Sequence, residues 1–181
     1  MNKNGLQPGF IWEAVLFIHT SIKLRMSNIT YHKATQTDIQ TLVDNRILFA
    51  LELSGGQNEE TIQSLRIQMT NYFSKATTEN TCISFIAICD GIAAGIGSVH
   101  LRELPGNFKN PSGKWGYIMN MYTLPKFRRR GICKDILNLL VEEGKKFGVT
   151  AFELHATTEG EFVYKQNGFV LHNEPTLRKY S

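Results

Sequence analysis

Two β-rich runs that follow each other closely constrain the fold of this chain more than any other feature. Residues 81–89 and 92–101 are separated only by Asp90-Gly91. This dipeptide favours a two-residue hairpin turn, because both of its residues tolerate positive φ angles. The two runs are therefore predicted to be neighbouring antiparallel strands of a sheet.

A strand, a loop and a helix come next and change the type of sheet. Residues 115–123 read as a strand, residues 130–147 as a helix and residues 151–155 as a further strand. Two strands that are joined by a helix run parallel when they share a sheet. The chain is thus predicted to be an α/β protein of the α+β type. Its central sheet is mixed and mostly antiparallel, with helices on both faces. The helix 130–147 carries an apolar stripe of Ile132, Ile136, Leu140 and Phe147.

The two ends of the pattern complete the expected order of elements. Residues 29–35 read as a first strand, and an apolar stripe from Ile39 to Leu51 predicts a helix that stops before Gly55-Gly56. A second helix is predicted after Asn58, which can cap it. Near the C-terminus, residues 159–166 read as a short helix, and a closing hairpin is expected from Phe169 onward.

The chain is expected to divide at Met26. Residues 1–25 would be an N-terminal extension, either peripheral or non-native, and residues 26–181 a single domain. The apolar run 10–18 is broken by Glu13 and lacks a small-residue cleavage site, which disfavours a signal peptide. No apolar run approaches the roughly 20 residues that span a bilayer, so no membrane partner is expected. Three cysteines without C-x-x-C spacing indicate a reduced, cytoplasmic setting and no metal site.

Positive charge is concentrated in one short loop. Residues 126–135 carry five basic side chains and one acidic one, so their net charge of +4 equals that of the whole chain. The loop precedes a predicted helix, where unpaired N–H groups and the helix dipole favour an anion. Gly131 allows close approach of the backbone to that anion. The pattern favours a phosphate-bearing ligand. A solvated helix start and a nucleic-acid patch stay open as alternatives, and the two common glycine-rich nucleotide motifs are lacking.

The residues of this loop belong to a longer pattern. Residues 118–125 end a strand with a Pro, and residues 128–133 read Arg-Arg-Arg-Gly-Ile-Cys, or R-x-x-G-x-small. A late strand at residues 154–157 is followed by Tyr164 to Phe169, which reads Y-x-x-x-G-F. Together these motifs resemble the acetyl-CoA loop and the late strand and helix of the GNAT superfamily of N-acetyltransferases. The resemblance covers most of the chain, from Ile29 to Tyr180, and implies a GNAT-like domain.

The resemblance also implies an activity and a co-substrate. It implies direct transfer of an acetyl group from acetyl-CoA to a primary amine, with a small-molecule acceptor, in a ternary complex. Backbone N–H groups of residues 129–134, with the Arg128 and Arg130 side chains, would hold the pyrophosphate. The backbone of Met121 and Thr123 would pair with the pantetheine arm. The full set implied for acetyl-CoA is Met121, Tyr122, Thr123, Arg128, Arg129, Arg130, Gly131, Ile132, Cys133, Lys134, Thr157 and Tyr164.

Catalytic residues follow from the same resemblance. Tyr164 would protonate the departing thiolate, as a phenol of pKa about 10 can. The base that deprotonates the amine is not fixed by the sequence: His100 and Glu103 are candidates, as is His155, and water can relay the proton. Asn120 and Tyr122 are expected to contact substrate, since strict alternation would place them on one strand face.

Three departures from the family pattern concern the ends of the site. Cys133 replaces Gly or Ala in the loop, Thr157 stands where many members carry Asn, and Glu161 falls where basic residues are frequent. Two other functions stay open: an acyl-CoA-binding module without turnover, and a nucleic-acid-binding protein. The zero net charge outside residues 126–135 argues against nucleic acid. The resemblance also allows a homodimer.

Overall fold

The strands of the sheet lie side by side in the same order as along the chain. The computed structural model describes residues 28–180, so the predicted extension 1–25 lies outside the described residues. The strands are β1 (Ile29–Lys33), β2 (Cys82–Cys89), β3 (Ile92–Glu103), β4 (Lys114–Thr123) and β5 (Ala151–Leu154). The helices are α1 (Ile39–Ser54), α2 (Glu59–Thr78), α3 (Ile132–Lys146) and α4 (Thr158–Gln166). None of these helices is long and apolar enough to cross a membrane.

Pairing in the sheet confirms the predicted mixed topology. The pairs from β1 to β4 are antiparallel, whereas β4 and β5 are parallel. Cys89 pairs with Ile92 across the hairpin, and both turn residues have positive φ, 50° at Asp90 and 78° at Gly91. Asp90-Gly91 therefore forms the two-residue turn that its composition predicts.

The sheet separates two apolar cores. On one face α3 buries Ile132, Ile136 and Leu140 against residues of β2, β3 and β4, as its predicted stripe requires. On the other face, α1 and α2 form a second core that contains Leu42 and Phe73. The stripe of α3 is shorter than predicted. The helix ends at Lys146, and Phe147 lies outside it with 39% of its surface exposed.

A bulge interrupts β4 near its end. Ile96 pairs with Tyr122 but Ser98 pairs with Met119, so Asn120 and Met121 together lie opposite the single residue Gly97. Asn120 has φ of 57°, the left-handed conformation that asparagine tolerates better than most residues. The extra residue reverses the alternation of side chains, and Tyr122 packs in the core of α1 and α2, whereas Ile118 packs on the α3 side.

The parallel pairing of β4 with β5 ends before this bulge. It runs from Trp115 and Ala151 to Ile118 and Leu154. Within the described residues, positions 119–123 of β4 therefore have no strand on the side of β5. We call residues 119–123 the free edge of β4. Its backbone groups can hydrogen-bond an extended ligand.

The closing hairpin predicted from Phe169 is wrong within the described chain. Residues 167–180 contain no strand. Phe169 packs against the ring of Tyr164, but Val170 and Leu171 are 88% and 79% exposed. The apolar run is too short to form a paired strand there, because Asn173, Glu174 and Pro175 follow it directly.

A substitution at Gly97 tests how closely the side chains pack under the bulge. A Cβ atom at this position would lie 2.5 Å from Ile136 Cγ2 and 2.5 Å from Met121 Sδ. We expect Gly97→Ala to lower the free energy of unfolding by about 1–3 kcal/mol, measured by urea denaturation. The matched control is Gly56→Ala, because a Cβ there meets nothing within 4 Å. Equal stability of the two variants would contradict this account of the bulge.

Candidate functional site

The loop between β4 and α3 is anchored before it turns. Residues Pro125–Phe127 form a short 3₁₀ turn, and the Phe127 side chain is buried in the core beneath α3. Leu124 N–H donates to Ala94 O at 2.9 Å, which fixes the start of the loop to β3. Arg129 and Gly131 then take left-handed conformations, with φ of 61° and 82°. These two residues redirect the chain into α3.

The same turn places a group of backbone N–H groups at the start of α3, outside the hydrogen-bond pattern of the helix. The first hydrogen bond of α3 is donated by Asp135 N–H to Gly131 O at 3.0 Å, and no side chain caps the helix. Within residues 28–180, the N–H groups of residues 129 and 131–134 donate to no backbone carbonyl. Such N–H groups at the positive end of a helix form an anion-binding site. The geometry therefore supports the anion site predicted from the sequence.

The basic side chains of the loop have different surroundings. Arg128 donates through Nη2 to both carboxylate oxygens of Glu52, at 2.6 and 2.7 Å, and through Nε to Thr123 O at 3.0 Å. Arg130 lies over the ring of Phe127, 5.3 Å from its centroid. Arg129 and Lys134 are exposed and form no ion pair with any residue in the described part of the chain. Arg129 and Lys134 are therefore open to a ligand.

Glu52 is a site residue that the sequence analysis did not find. It lies 76 residues before Arg128, in the last turn of α1. A carboxylate near a helix C-terminus opposes the helix dipole, so its presence there signals a partner elsewhere. The hydrogen bond from Arg128 is the main cause that lowers the pKa of Glu52. Sequence spacing alone gave no indication that α1 reaches this loop.

The free edge of β4 leads directly into the anion site. It ends at Thr123, and the loop to α3 begins at the next residue. An extended ligand can therefore lie along residues 121–123 with its anionic end at the start of α3. The backbone positions predicted for Met121, Tyr122 and Thr123 and those of residues 129–134 thus belong to neighbouring segments of the chain, separated by the short turn that contains Phe127.

Tyr122 and Asn120 do not share a face in the way that alternation predicts, because the bulge interrupts the alternation between Ile118 and Tyr122. The side chain of Tyr122 is only 7% exposed. It stacks on Phe49 with 5.4 Å between ring centroids and donates to Glu52 Oε2 at 3.1 Å. The expected substrate contact by the Tyr122 side chain is therefore not supported, and burial with Glu52 raises the pKa of Tyr122.

Tyr164 and Cys133 meet beside the start of α3. Tyr164 of α4 is 8% exposed and lies close to the Cys133 side chain. Burial, together with the neighbouring thiol, raises the pKa of Tyr164, so the phenol stays protonated near neutral pH. Burial also raises the pKa of Cys133, which favours its neutral thiol. The neutral phenol of Tyr164 therefore lies next to Cys133 of the predicted loop.

Thr157 has a structural role at the start of α4. It is the N-cap of α4, and its Oγ1 accepts a hydrogen bond from Gly160 N–H at 3.2 Å. A hydroxyl that satisfies the first turn of a helix in this way stabilises that helix. Thr157 therefore supports α4, which carries Tyr164.

The three candidate bases lie in different places. His100 is half-buried on β3, opposite Tyr117 of β4, and its Nδ1 lies 3.2 Å from the hydroxyl of Tyr72. His155 directly follows β5, and its ring contacts that of Tyr117 at 5.8 Å. Glu103 pairs with Lys114 at the opposite end of β4, roughly 16 Å from the free edge at about 3.3 Å per residue. The structure brings the two histidines near the free edge but not Glu103.

Within residues 28–180, no group of three or more His, Cys, Asp or Glu side chains is placed to hold a metal ion.

Comparison with known proteins identifies the family. Residues 49–169 match the model of the Acetyltransferase (GNAT) family, which is more than half of the chain. The chain belongs to the GNAT acetyltransferase family. The predicted family, fold class and enzyme class are thereby confirmed. No match was found among curated protein sequences.

Solved structures of GNAT proteins share this fold. A predicted acetyltransferase from Clostridium acetobutylicum, solved with acetyl-CoA, is 29% identical with a TM-score of 0.75 over 84% of this chain and 96% of its own. A GCN5-related N-acetyltransferase from Ralstonia eutropha is 20% identical, with a TM-score of 0.73 over 84% and 99% of the two chains. An aminoglycoside N-acetyltransferase solved with CoA is 18% identical, with a TM-score of 0.65 over 86% and 97%.

The surroundings of His100 predict a shift of its pKa that can be measured. Burial, and then the charge of Arg102, disfavour its protonated form and lower the pKa of His100 below its ordinary value of 6.5. We expect its NMR titration to show a midpoint below 6.5, with the resonance assigned by its loss in His100→Asn. Because the unfolded state binds the proton more readily, this group should also make stability fall as pH drops below about 6.5. A midpoint at or above 6.5 would contradict the burial argument.

Proposed function

We propose that this GNAT protein transfers an acetyl group from acetyl-CoA to a primary amine of a small molecule by direct attack in a ternary complex. The observation that carries the proposal is the set of N–H groups of residues 129–134 at the start of α3, next to the free edge of β4. CoA combines a pyrophosphate with a long arm of amide groups. Those two parts match an anion site joined to an unpaired strand edge.

The protein would hold the co-substrate in two sections. The N–H groups of residues 129–134, with the open cations of Arg129 and Lys134, would bind the pyrophosphate. The backbone of Met121 and Thr123 would bind the amides of the arm, which would hold the thioester along the free edge of β4, at the end of the arm away from the pyrophosphate. When bound, acetyl-CoA supplies an activated acyl group. The contribution of this chain is to orient that group toward the amine.

Proton transfer is assigned to two side chains. The buried phenol of Tyr164 would donate a proton to the departing thiolate. An amine of pKa about 10 must lose a proton before it attacks, and we assign this proton to His100. The proposal requires the tautomer whose Nδ1–H donates to the Tyr72 oxygen, 3.2 Å away, since this tautomer leaves the lone pair of Nε2 as the base. The lowered pKa of His100 keeps its imidazole neutral at pH 7.

The proposed acceptor is a small molecule. The aminoglycoside N-acetyltransferase of similar fold has also been solved with a bisubstrate analogue, CoA-S-monomethyl-acetylneamine. At 18% identity this relative shares the fold alone. It supports the class of acceptor without naming one for this chain.

Calorimetry with two ligands tests the phosphate part of the proposal. We expect acetyl-CoA to bind with a micromolar dissociation constant. S-acetylpantetheine lacks the phosphates, so it should bind at least about a hundredfold more weakly. That difference corresponds to about 2.8 kcal/mol of binding free energy, since each 1.4 kcal/mol is a factor of ten. Thiol release with a panel of primary amines then measures turnover. Equal affinity for both ligands would contradict the assigned anion site. Binding without thiol release would favour an acyl-CoA-binding module. Salt-sensitive DNA or RNA binding without CoA binding would favour the nucleic-acid alternative.

Tyr164→Phe tests the proton donor. Removal of a general acid should lower kcat by about a hundredfold, while the KM for acetyl-CoA stays within about twofold because the ring is kept. Tyr180→Phe is the control, since that side chain is 85% exposed near the C-terminus. Steady-state thiol release measures both constants. An unchanged kcat would remove Tyr164 from the mechanism.

A further inference from the structure

Glu52 joins α1 to two parts of the site at once. Its carboxylate accepts hydrogen bonds from Arg128 Nη2 at 2.6 and 2.7 Å and from the Tyr122 hydroxyl at 3.1 Å. Tyr122 belongs to the free edge of β4, and Arg128 belongs to the loop before α3. We call Glu52, Tyr122 and Arg128 the α1 latch.

The guanidinium of Arg128 faces back toward β4. Its Nε donates to the carbonyl oxygen of Thr123 at 3.0 Å, and its Cζ lies 5.8 Å from the centroid of the Tyr122 ring. Together with the bonds to Glu52, these contacts engage the Nε and Nη2 atoms of the guanidinium. The ion pair also cancels the charge of Arg128 locally. Arg128 therefore contributes little net charge to the anion site.

The latch is continued along α1 by stacked groups. The ring of Phe49 stacks on Tyr122, with an angle of 28° between the ring planes. The guanidinium of Arg46 lies over the Phe49 ring, with its Cζ 5.1 Å from the ring centroid. Arg46, Phe49 and Glu52 are three residues apart and lie along one side of the helix. The end of α1 is thus fixed to the end of β4 by packing as well as by charge.

We propose that Glu52 is a positioning residue that acts through Arg128 and Tyr122 to fix the start of the acetyl-CoA loop, and that Arg128 is not a phosphate ligand. The inference rests on the proposed function and assigns different roles to different residues of the basic loop. Arg128 holds the loop in place, the N–H groups of residues 129–134 bind phosphate, and Arg129 and Lys134 supply the free positive charge.

The opposite arrangement makes different predictions. If Arg128 left Glu52 to bind phosphate, Glu52 would compete with the ligand, and its removal would strengthen binding. Arg128 would then also contribute to the salt dependence of binding, because ion pairing with phosphates is screened by salt. Affinity and its salt dependence therefore separate a positioning role from direct contact.

The test uses the full chain and five variants, one of them a control. Glu52→Gln and Arg128→Gln each remove one partner of the ion pair, and the double variant removes both. Arg129→Gln removes a cation that the proposal places on phosphate. The matched control is Asp44→Asn, because Asp44 also lies on α1 and pairs with an arginine of α2, Arg66, away from the loop. Acetyl-CoA affinity is measured by calorimetry at several salt concentrations, together with KM, kcat and thermal midpoint.

The latch predicts a defined pattern. Glu52→Gln and Arg128→Gln should each weaken acetyl-CoA binding by about three- to tenfold, as expected for a partly exposed ion pair within a network. The double variant should be no weaker than the weaker single variant, since the two residues act as one unit. KM for acetyl-CoA should rise with kcat nearly unchanged. The salt dependence should match wild type in Arg128→Gln and become shallower in Arg129→Gln. Asp44→Asn should bind like wild type.

Several results would overturn the latch. Tighter binding by Glu52→Gln would show that Glu52 competes with phosphate, and additive losses in the double variant would show that the two residues act separately. A shallower salt dependence in Arg128→Gln would make Arg128 a phosphate ligand. Wild-type affinity in both single variants would remove the positioning role. Failure of the wild-type chain itself to bind acetyl-CoA would instead contradict the proposed function, so the two failures are distinguishable.

Discussion

The course of β4 beyond Ile118 depends on how closely Gly97 packs against its neighbours. Opposite the bulge at Asn120 and Met121, the Met121 and Ile136 side chains occupy the space that a side chain at position 97 would need. The missing Cβ lets α3 lie close to the sheet while β4 takes in its extra residue. The register after the bulge turns Tyr122 toward α1 and leads Thr123 into the loop. The bulge beside Gly97 therefore determines which core Tyr122 enters and how β4 approaches the loop.

The loop itself stores a small strain that its surroundings offset. Arg129 adopts a left-handed conformation, which costs an ordinary residue about 1–2 kcal/mol. The buried Phe127 on one side and the buried Ile132 on the other hold the turn in place. In return, the N–H groups of residues 129 and 131–134 lie at the positive end of α3 and donate to no backbone carbonyl of the described residues. Glu52 adds to this restraint from a third element, which ties the conformation of the loop to the position of α1.

The sequence could predict those parts of the molecule that local chemistry determines. Asp90-Gly91 specifies its turn, the apolar stripe of α3 specifies its buried face, and the clustered charge of residues 126–135 marks the helix start. The features that the sequence did not predict depend on contacts between residues that are far apart in the chain. The bulge follows from packing around Gly97, and the Glu52 contact joins residues 76 positions apart. The closing hairpin was predicted from the apolar residues after Gly168, but in the described chain they find no strand to pair with.

One physical cause gives the two proposed proton-transfer groups opposite properties. Burial disfavours the charged form of any group, and the charged form is the phenolate for Tyr164 but the imidazolium for His100. Burial therefore raises the pKa of Tyr164 and lowers the pKa of His100. Near neutral pH the phenol keeps its proton and the imidazole keeps a lone pair, so a donor and an acceptor coexist, and the charge of Arg102 adds to the effect of burial at His100. For a reaction that must both accept a proton from an amine and return one to a thiolate, neutral groups on each side avoid the cost of a buried charge before substrates bind.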